Sequence, residues 1–144
     1  MRRDRALNEV VNAMAKAAES LQAFTNQLRQ QLAFYVGALN LHERLEQMHL
    51  SMCFPVLSEK NIRRYDNLYD VSLPLLSSDS VVGNTLECSF RQLYLITGAN
   101  QGGKTTFLRS VGQCQLMAQC GLFVCAESCE IQLRKCQYTH IKKE

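Results

Sequence analysis

The chain contains no tryptophan, only two prolines (Pro55 and Pro74) and three histidines in 144 residues. Proline removes an interior helical hydrogen bond and clashes with the preceding turn, so nothing ahead of Pro55 forces a helix to stop. No apolar run reaches the roughly 20 residues that a membrane span needs. Arg2, Arg3 and Arg5 are not followed by the apolar core of a signal peptide. Excess charge is lacking as well. The formal net charge is +3, and the remaining basic groups, Arg63-Arg64 and Lys142-Lys143, are small and far apart. A nucleic-acid face would concentrate such residues, so these read as solvated surface and terminus. With 47% apolar and 20% charged residues the composition is that of a globular chain, about one domain or a piece of a larger one.

Metal-type spacing is also missing. The seven cysteines (Cys53, Cys88, Cys114, Cys120, Cys125, Cys129 and Cys136) are odd in number and include no Cys-x2-Cys pair. Cys125 and Cys129 stand four apart without a second ligand pair. His42, His49 and His140 are scattered, and no Ser-His-Asp or Cys-His grouping stands out.

Glycine is sparse too, yet three of the seven fall at Gly98, Gly102 and Gly103. Residues 98–105 read Gly-Ala-Asn-Gln-Gly-Gly-Lys-Thr, the Gly-x4-Gly-Lys-Thr spacing of a phosphate-binding loop. Ahead of it, residues 93–97 (Leu-Tyr-Leu-Ile-Thr) are apolar and β-prone, which predicts a buried strand. Behind it, residues 106–120 carry helical spacing at Phe107, Leu108, Val111, Gln115, Leu116 and Ala118, with Gly121 placed to cap the end. Strand, loop and helix in that order give the motif its meaning. The glycines allow close approach, and the loop N–H groups and the helix N-terminus converge on phosphate oxygens. The expected contact set is Gly98, Ala99, Asn100, Gln101, Gly102, Gly103, Lys104, Thr105 and Thr106. Lys104 would reach the β- and γ-phosphates of ATP, and the Thr105 hydroxyl would ligate Mg²⁺, a cation that prefers hard oxygens. A chain with this motif and an odd cysteine count is expected in the cytoplasm with its thiols free.

Before Pro55 the pattern is helical throughout residues 4–50. Leu7, Val11, Met14, Ala18, Leu21, Leu28, Leu32, Tyr35 and Leu39 recur in steps of three and four, with Thr25 the one interruption. A helix of about 45 residues would be near 70 Å long, a strut or lever more than a packed core element. After Gly37 the face shifts to Leu41, Leu45 and Met48, so a bend or a new packing partner is expected there. A stripe of that length should be covered by another helix, in a second copy or elsewhere. Residues 58–76 suggest irregular structure with brief strands, residues 77–80 a polar loop, Gly83-Asn84 a turn or bulge, and residues 130–133 and 137–141 two short strands.

Residues 95–109, and the run Leu116-Met117-Ala118-Gln119-Cys120-Gly121-Leu122-Phe123-Val124-Cys125-Ala126-Glu127-Ser128, resemble the nucleotide loop region of the MutS DNA mismatch repair ATPases. Residues 32–41 look like the connector helix that precedes that ATPase. The resemblance implies an α/β fold: a long N-terminal lever helix with an apolar linker over 1–57, then the first half of a P-loop (ABC-type) ATPase domain over 58–144. It implies ATP and ADP as ligands, Mg²⁺, a DNA-dependent ATPase as the parent, and DNA contact through parts of the parent not in this chain. Departures accompany it. Many members have Pro-Asn-Met at Ala99-Asn100-Gln101, Ser at Thr105, Pro at Cys125, and an aromatic that stacks on adenine where Val81 stands. No acidic pair for hydrolysis follows the loop helix, since Glu127 and Glu130 are too close to it. Negligible hydrolysis by this chain alone is therefore expected. A half-sheet would leave strand edges open, which points to a homo-oligomer. The alternative reading is a non-enzymatic helical dimerisation or interaction module with a vestigial phosphate loop.

Overall fold

The first element, α1 (Arg2–Gln47), is a single 46-residue helix. It runs unbroken through Gly37, as the absence of proline predicts. The structure is a computed structural model. It describes residues 2–60, 62–77, 80–89, 92–99 and 102–140, with side chains from residue 7 onward. Two compact units divide the chain, Met1–Glu43 and Arg44–Glu144.

In the first unit the apolar stripe lies open. Leu7, Met14, Leu21 and Leu39 are each more than 60% exposed. In the second unit α1 ends on a left-handed residue. His49 (φ 55°) lets the Leu50 N–H turn back to the Leu45 carbonyl at 3.1 Å, a role glycine usually fills. Of the face that follows Gly37, Leu45 is fully buried, Leu41 half-buried and Met48 39% exposed.

The remaining elements are β1 (Val56–Leu57), β2 (Ile62–Leu68), α2 (Ser72–Leu76), β3 (Asn84–Ser89), α3 (Lys104–Gln119) and β4 (Ser128–Ile131). They form a mixed sheet in the order β1-β4-β2-β3, with β1 parallel to β4 and the other pairs antiparallel. Side chains alternate across it. One face carries Tyr65, Leu68, Cys129 and Ile131, which pack with Cys114 and Ala118 of α3 and with Val124 and Ala126 of the segment before β4. On the other face Arg64 bonds bidentately to Glu87 (both contacts 3.1 Å) and to Glu130 at 2.9 Å, joining three adjacent strands. The Arg64 hydrogen bonds and charge hold the Glu87 carboxyl below its usual pKa.

Tyr65 and Leu68 are three apart yet share a face, because β2 carries a bulge. The register steps three residues on β2 (Tyr65 to Leu68) against two on β3 (Leu86 to Asn84), and Asn67 sits at φ 51°. Gly83 lies hard against that bulge. A β-carbon there would come within 2.0 Å of Asn67 Oδ1 and 2.6 Å of its backbone carbonyl. At the far end of α3, Gly121 (φ 74°) provides the expected cap, with the Leu122 N–H bonded to the Met117 carbonyl at 3.0 Å.

Two strand expectations need correction. Residues 93–97 form no strand: Leu93 is 96% exposed and Leu95 86% exposed. A strand is held by its ladder, and no described segment pairs with this one, so β-propensity alone leaves it irregular. The strand–loop–helix unit is therefore a loop and helix here. Residues 137–140 are likewise irregular, and position 141 lies outside the described residues. The fold is α/β, with a long N-terminal helix and a small mixed sheet.

Candidate functional site

Helix α3 starts at Lys104, and everything in the candidate site follows from how that start is built. Gly103 precedes it at φ 78°, a left-handed conformation that a β-carbon disfavours, and no side chain caps the helix. Its first-turn N–H groups are therefore not met by a side-chain oxygen, as they would be at most helix starts. The loop doubles back through a hydrogen bond from Gly102 N–H to the Ala99 carbonyl at 3.1 Å. A β-carbon on Gly102 would stand 2.9 Å from that same oxygen, so glycine is required by the turn itself.

Lys104 is half-buried and folds inward. Its Nζ donates to the Gly98 carbonyl at 2.7 Å and to the Ala99 carbonyl. The ammonium thus stands in the mouth of the loop, held by loop carbonyls. Thr106 is half-buried, whereas Thr105 is exposed. Asn100 and Gln101 lie outside the described residues.

A cleft of about 630 Å³ opens at the loop. Gly102, Gly103, Lys104, Thr106 and Phe107 line one side, Ile96 and Thr97 another, and Val82, Asn84, Thr85 and Leu86 the third. Val82 stands in this lining and Val81 does not. Thr105 is also outside the lining.

The donor set fits a phosphate group. An ammonium, the side-chain-uncapped amides of a 16-residue helix and a turn too tight for any β-carbon surround the opening. For a hard cation the Thr105 and Thr106 hydroxyls at the start of α3 are neutral donors, so most of the ligand oxygens for Mg²⁺ would come from phosphate and water.

Behind the loop, α3 is fastened by a buried carboxylate that the sequence did not reveal. Asp70 is 1% exposed. Its Oδ1 accepts from the Ser72 N–H at 2.9 Å, the Ser72 hydroxyl, and Gln113 Nε2 at 2.8 Å. Its Oδ2 stands 2.9 Å from Arg109 Nε, an ion pair not aligned as a hydrogen bond. Gln113 also accepts from the Val71 N–H at 3.1 Å. Arg109 and Gln113 are one helical turn apart on α3, so the carboxylate grips the helix at two points. Burial works to raise the Asp70 pKa. Hydrogen bonds from the Ser72 hydroxyl and backbone and from Gln113, and then the Arg109 charge, outweigh it and hold the carboxyl below its usual range.

The seven cysteines are free. Cys114 and Cys129 are buried with their sulfurs 3.5 Å apart. Among the described residues no group of acidic, histidine or cysteine side chains could hold a metal. Glu127 and Glu130 are occupied structurally, Glu127 by Asn67 Nδ2 at 2.9 Å and Glu130 by Arg64. No described helix is long and apolar enough to cross a membrane.

Two family descriptions match the chain: the MutS2 N-terminal domain over residues 2–48 and MutS domain V over residues 94–144. The second begins with the irregular segment before the loop and takes in α3 and β4. Among individual proteins, Endonuclease MutS2 of Geobacillus sp. (strain WCH70) is 32% identical over 143 residues, covering 98% of this chain and 17% of that protein. Endonuclease MutS2 of Lactobacillus johnsonii is 44% identical over 75 residues, 51% of this chain and 9% of the relative. The DNA mismatch repair protein MutS of Thermosipho melanesiensis is 26% identical over 144 residues, with 87% and 17% covered. The chain thus spans about a sixth of the length of the Geobacillus and Thermosipho relatives.

Proposed function

Because this chain belongs to the MutS family, we propose that residues 98–106 form an ATP-binding loop and that α1 carries the nucleotide state away from it as a lever. The observation that carries the reading is the Lys104 ammonium, half-buried in the mouth of a loop that precedes a helix with no side-chain cap. A triphosphate entering the cleft would draw Lys104 off the Gly98 and Ala99 carbonyls, an exchange of two neutral acceptors for a charged one. The first-turn amides of α3 would meet the same anion. Thr105 would turn its hydroxyl to the accompanying Mg²⁺, and Val82, with Val81 behind it, would pack against the base without an aromatic face. Magnesium supplies charge neutralisation between the phosphates when bound.

The second unit begins at Arg44, so the last turn of α1 is built into it, with Leu45 fully buried. Hydrolysis is assigned to none of these residues. Glu127 and Glu130 are held by Asn67 and Arg64, and neither is among the residues lining the cleft. DNA mismatch repair and endonuclease action are in the names of the relatives. In this chain we assign to the site only the nucleotide-binding step of such proteins, with cytoplasmic residence and a division into 1–57 and 58–144 as parts of the same reading.

The test is a titration of the chain with a fluorescent ATP analogue and Mg²⁺. Wild type should bind saturably, and Lys104→Ala should weaken binding by tenfold or more, the order expected for one charge-assisted phosphate contact. Equal binding by the two proteins would remove Lys104 from the site.

A further inference from the structure

Two thiols that take no part in the proposed nucleotide site meet inside the second unit. Cys114 stands on α3 and Cys129 on β4, and they are 2% and 4% exposed. Their sulfurs are 3.5 Å apart. Each is held on a rigid element. Cys129 lies opposite Tyr65 in the β2–β4 ladder, and Cys114 is within the 16-residue helix. One core cluster, with Tyr65, Val124 and Ile131, packs around both. A disulfide needs its sulfurs about 2.05 Å apart, so closing this pair takes about 1.5 Å of movement shared by two side chains. The two ends of the pair differ. Cys129 is among the residues lining a cleft of about 310 Å³, beside the half-buried Cys53, and Cys114 is not. The hydrogen bond from Cys114 holds the Cys129 thiol below its usual pKa, although burial acts to raise it. The same bond, and then burial, push Cys114 up. The thiolate is the nucleophilic form of cysteine, so the nucleophile of the pair is Cys129.

We propose that Cys114 and Cys129 form an oxidisable dithiol, converted by hydrogen peroxide into a disulfide that clamps α3 to β4. In the first step the Cys129 sulfur attacks one peroxide oxygen. The O–O bond breaks, the departing oxygen takes up the Cys129 proton and leaves as water, and Cys129 becomes a sulfenic acid. In the second step the Cys114 sulfur attacks the Cys129 sulfur. An S–S bond forms, the S–O bond breaks, and the hydroxide leaves with the Cys114 proton as a second water. The two thiols lose two electrons, and one peroxide gains them. A thiol already beside the sulfenic acid matters, because without one that acid is open to irreversible oxidation. Hydrogen peroxide is little larger than water and suits so confined a site, whereas alkylating reagents are bulkier. The link would close residues 115–128 into a loop. It would join the helix that starts at the glycine loop to an inner strand of the sheet. Cys53 packs at the edge of the same cluster and is the competing partner.

The test treats the full chain, reduced and then freed of reductant, with a few-fold molar excess of hydrogen peroxide. It carries Cys120→Ser and Cys136→Ser, so that the exposed thiols do not link chains together. Trypsin and a glutamate-specific protease cut after Arg109, Glu127, Glu130 and Arg134, which parts Cys129 from Cys114. The expected product is the 128–130 peptide joined to Cys114, two hydrogens lighter than the separate peptides and released by dithiothreitol. The urea midpoint of the second unit should rise on oxidation, since a cross-link restricts the unfolded chain, and return on reduction. Cys114→Ala should abolish the link and leave a sulfenic acid at Cys129 that dimedone captures. Should Cys114→Ala fail to fold, the peptide map of the chain with both thiols decides alone. Recovery of both thiols unoxidised from the folded chain would overturn the proposal and leave an inert packed pair. A link from Cys129 to Cys53 would overturn it too, and a link formed without a rise in the midpoint would remove the clamp. Lys104→Ala should oxidise as fast as its parent, so loss of nucleotide binding and loss of the dithiol remain separate results.

Discussion

Replacing Arg109 by methionine keeps most of the side-chain stem and removes the cation that faces Asp70. A fully buried ion pair broken from one side costs about 3–5 kcal/mol, because the surviving charge has no partner. Two features lower that figure here. Arg109 is 41% exposed, so water already screens it, and Asp70 keeps the Ser72 and Gln113 donors after the change. About 1–3 kcal/mol is the expected loss. For a unit of about 100 residues that is a fall of roughly 5–20 °C in midpoint temperature. Urea denaturation followed by the near-ultraviolet signal of the buried Tyr65 and Tyr69 reports on the right unit. The pH dependence gives a sharper reading. The Asp70 carboxyl is held below its usual value, so its contribution is present above the unfolded pKa of about 4 and is lost as pH falls through the folded value. Without Arg109 the folded pKa rises. The gap between wild type and variant should therefore be full at pH 7 and narrow in acid below about pH 4, where Asp70 is protonated in both. A gap under about 0.5 kcal/mol at pH 7, or one that widens in acid, would refute the account. A double-mutant cycle with Asp70→Asn should return a coupling energy of the same order, and additive effects would be an equally clear refutation.

Gly83→Ala should destabilise the second unit by about 2 kcal/mol or more, since its β-carbon would meet the Asn67 backbone and not only a side-chain tip; an unchanged urea midpoint would mean the bulge has room to open. Thiol alkylation of the folded chain at pH 7.5 should mark Cys120 and Cys136 first, because both are exposed. Cys53 and Cys125, pushed up by burial to about 11, and Cys114, raised further by its hydrogen bond to Cys129 and by burial, should react only on unfolding. Peptide mass mapping reads the order, and early labelling of Cys114 would contradict the packed core.

What could be read from the sequence was what local chemistry determines. The step of three and four from Leu7 to Leu39, uninterrupted by proline, gives α1 in full. The helical spacing behind Lys104 and the left-handed Gly121 give α3 and its cap. The pairing of β2 with β3 and β4 joins residues 16 to 27 and 62 to 66 positions apart, and no local pattern encodes it. Residues 93–97 show the converse error. Their propensity is right for a strand, but propensity is the weaker term when no neighbour supplies a ladder.

The glycine loop was the most legible part of the site, and on its own it would be the least determined. A turn of small residues has few contacts to fix it, and the Lys104 contacts reach no farther than the loop itself. Its position must come from α3, and α3 is fixed by groups that carry no motif. Cys114 and Ala118 press one face of the helix on the sheet, and Asp70 holds Arg109 and Gln113 on another. Asp70 is 39 positions from Arg109 in the chain, which is why the sequence alone gave it no role. A phosphate site needs its amides set to within about 0.5 Å of their working geometry. Loosening Asp70 should therefore weaken nucleotide binding without touching any residue of the loop. Arg109→Met, measured in the same ATP-analogue titration at a temperature where it is fully folded, should bind several-fold more weakly than wild type. Binding equal to wild type would show that the loop is positioned without this anchor and that the Asp70 cluster serves stability alone.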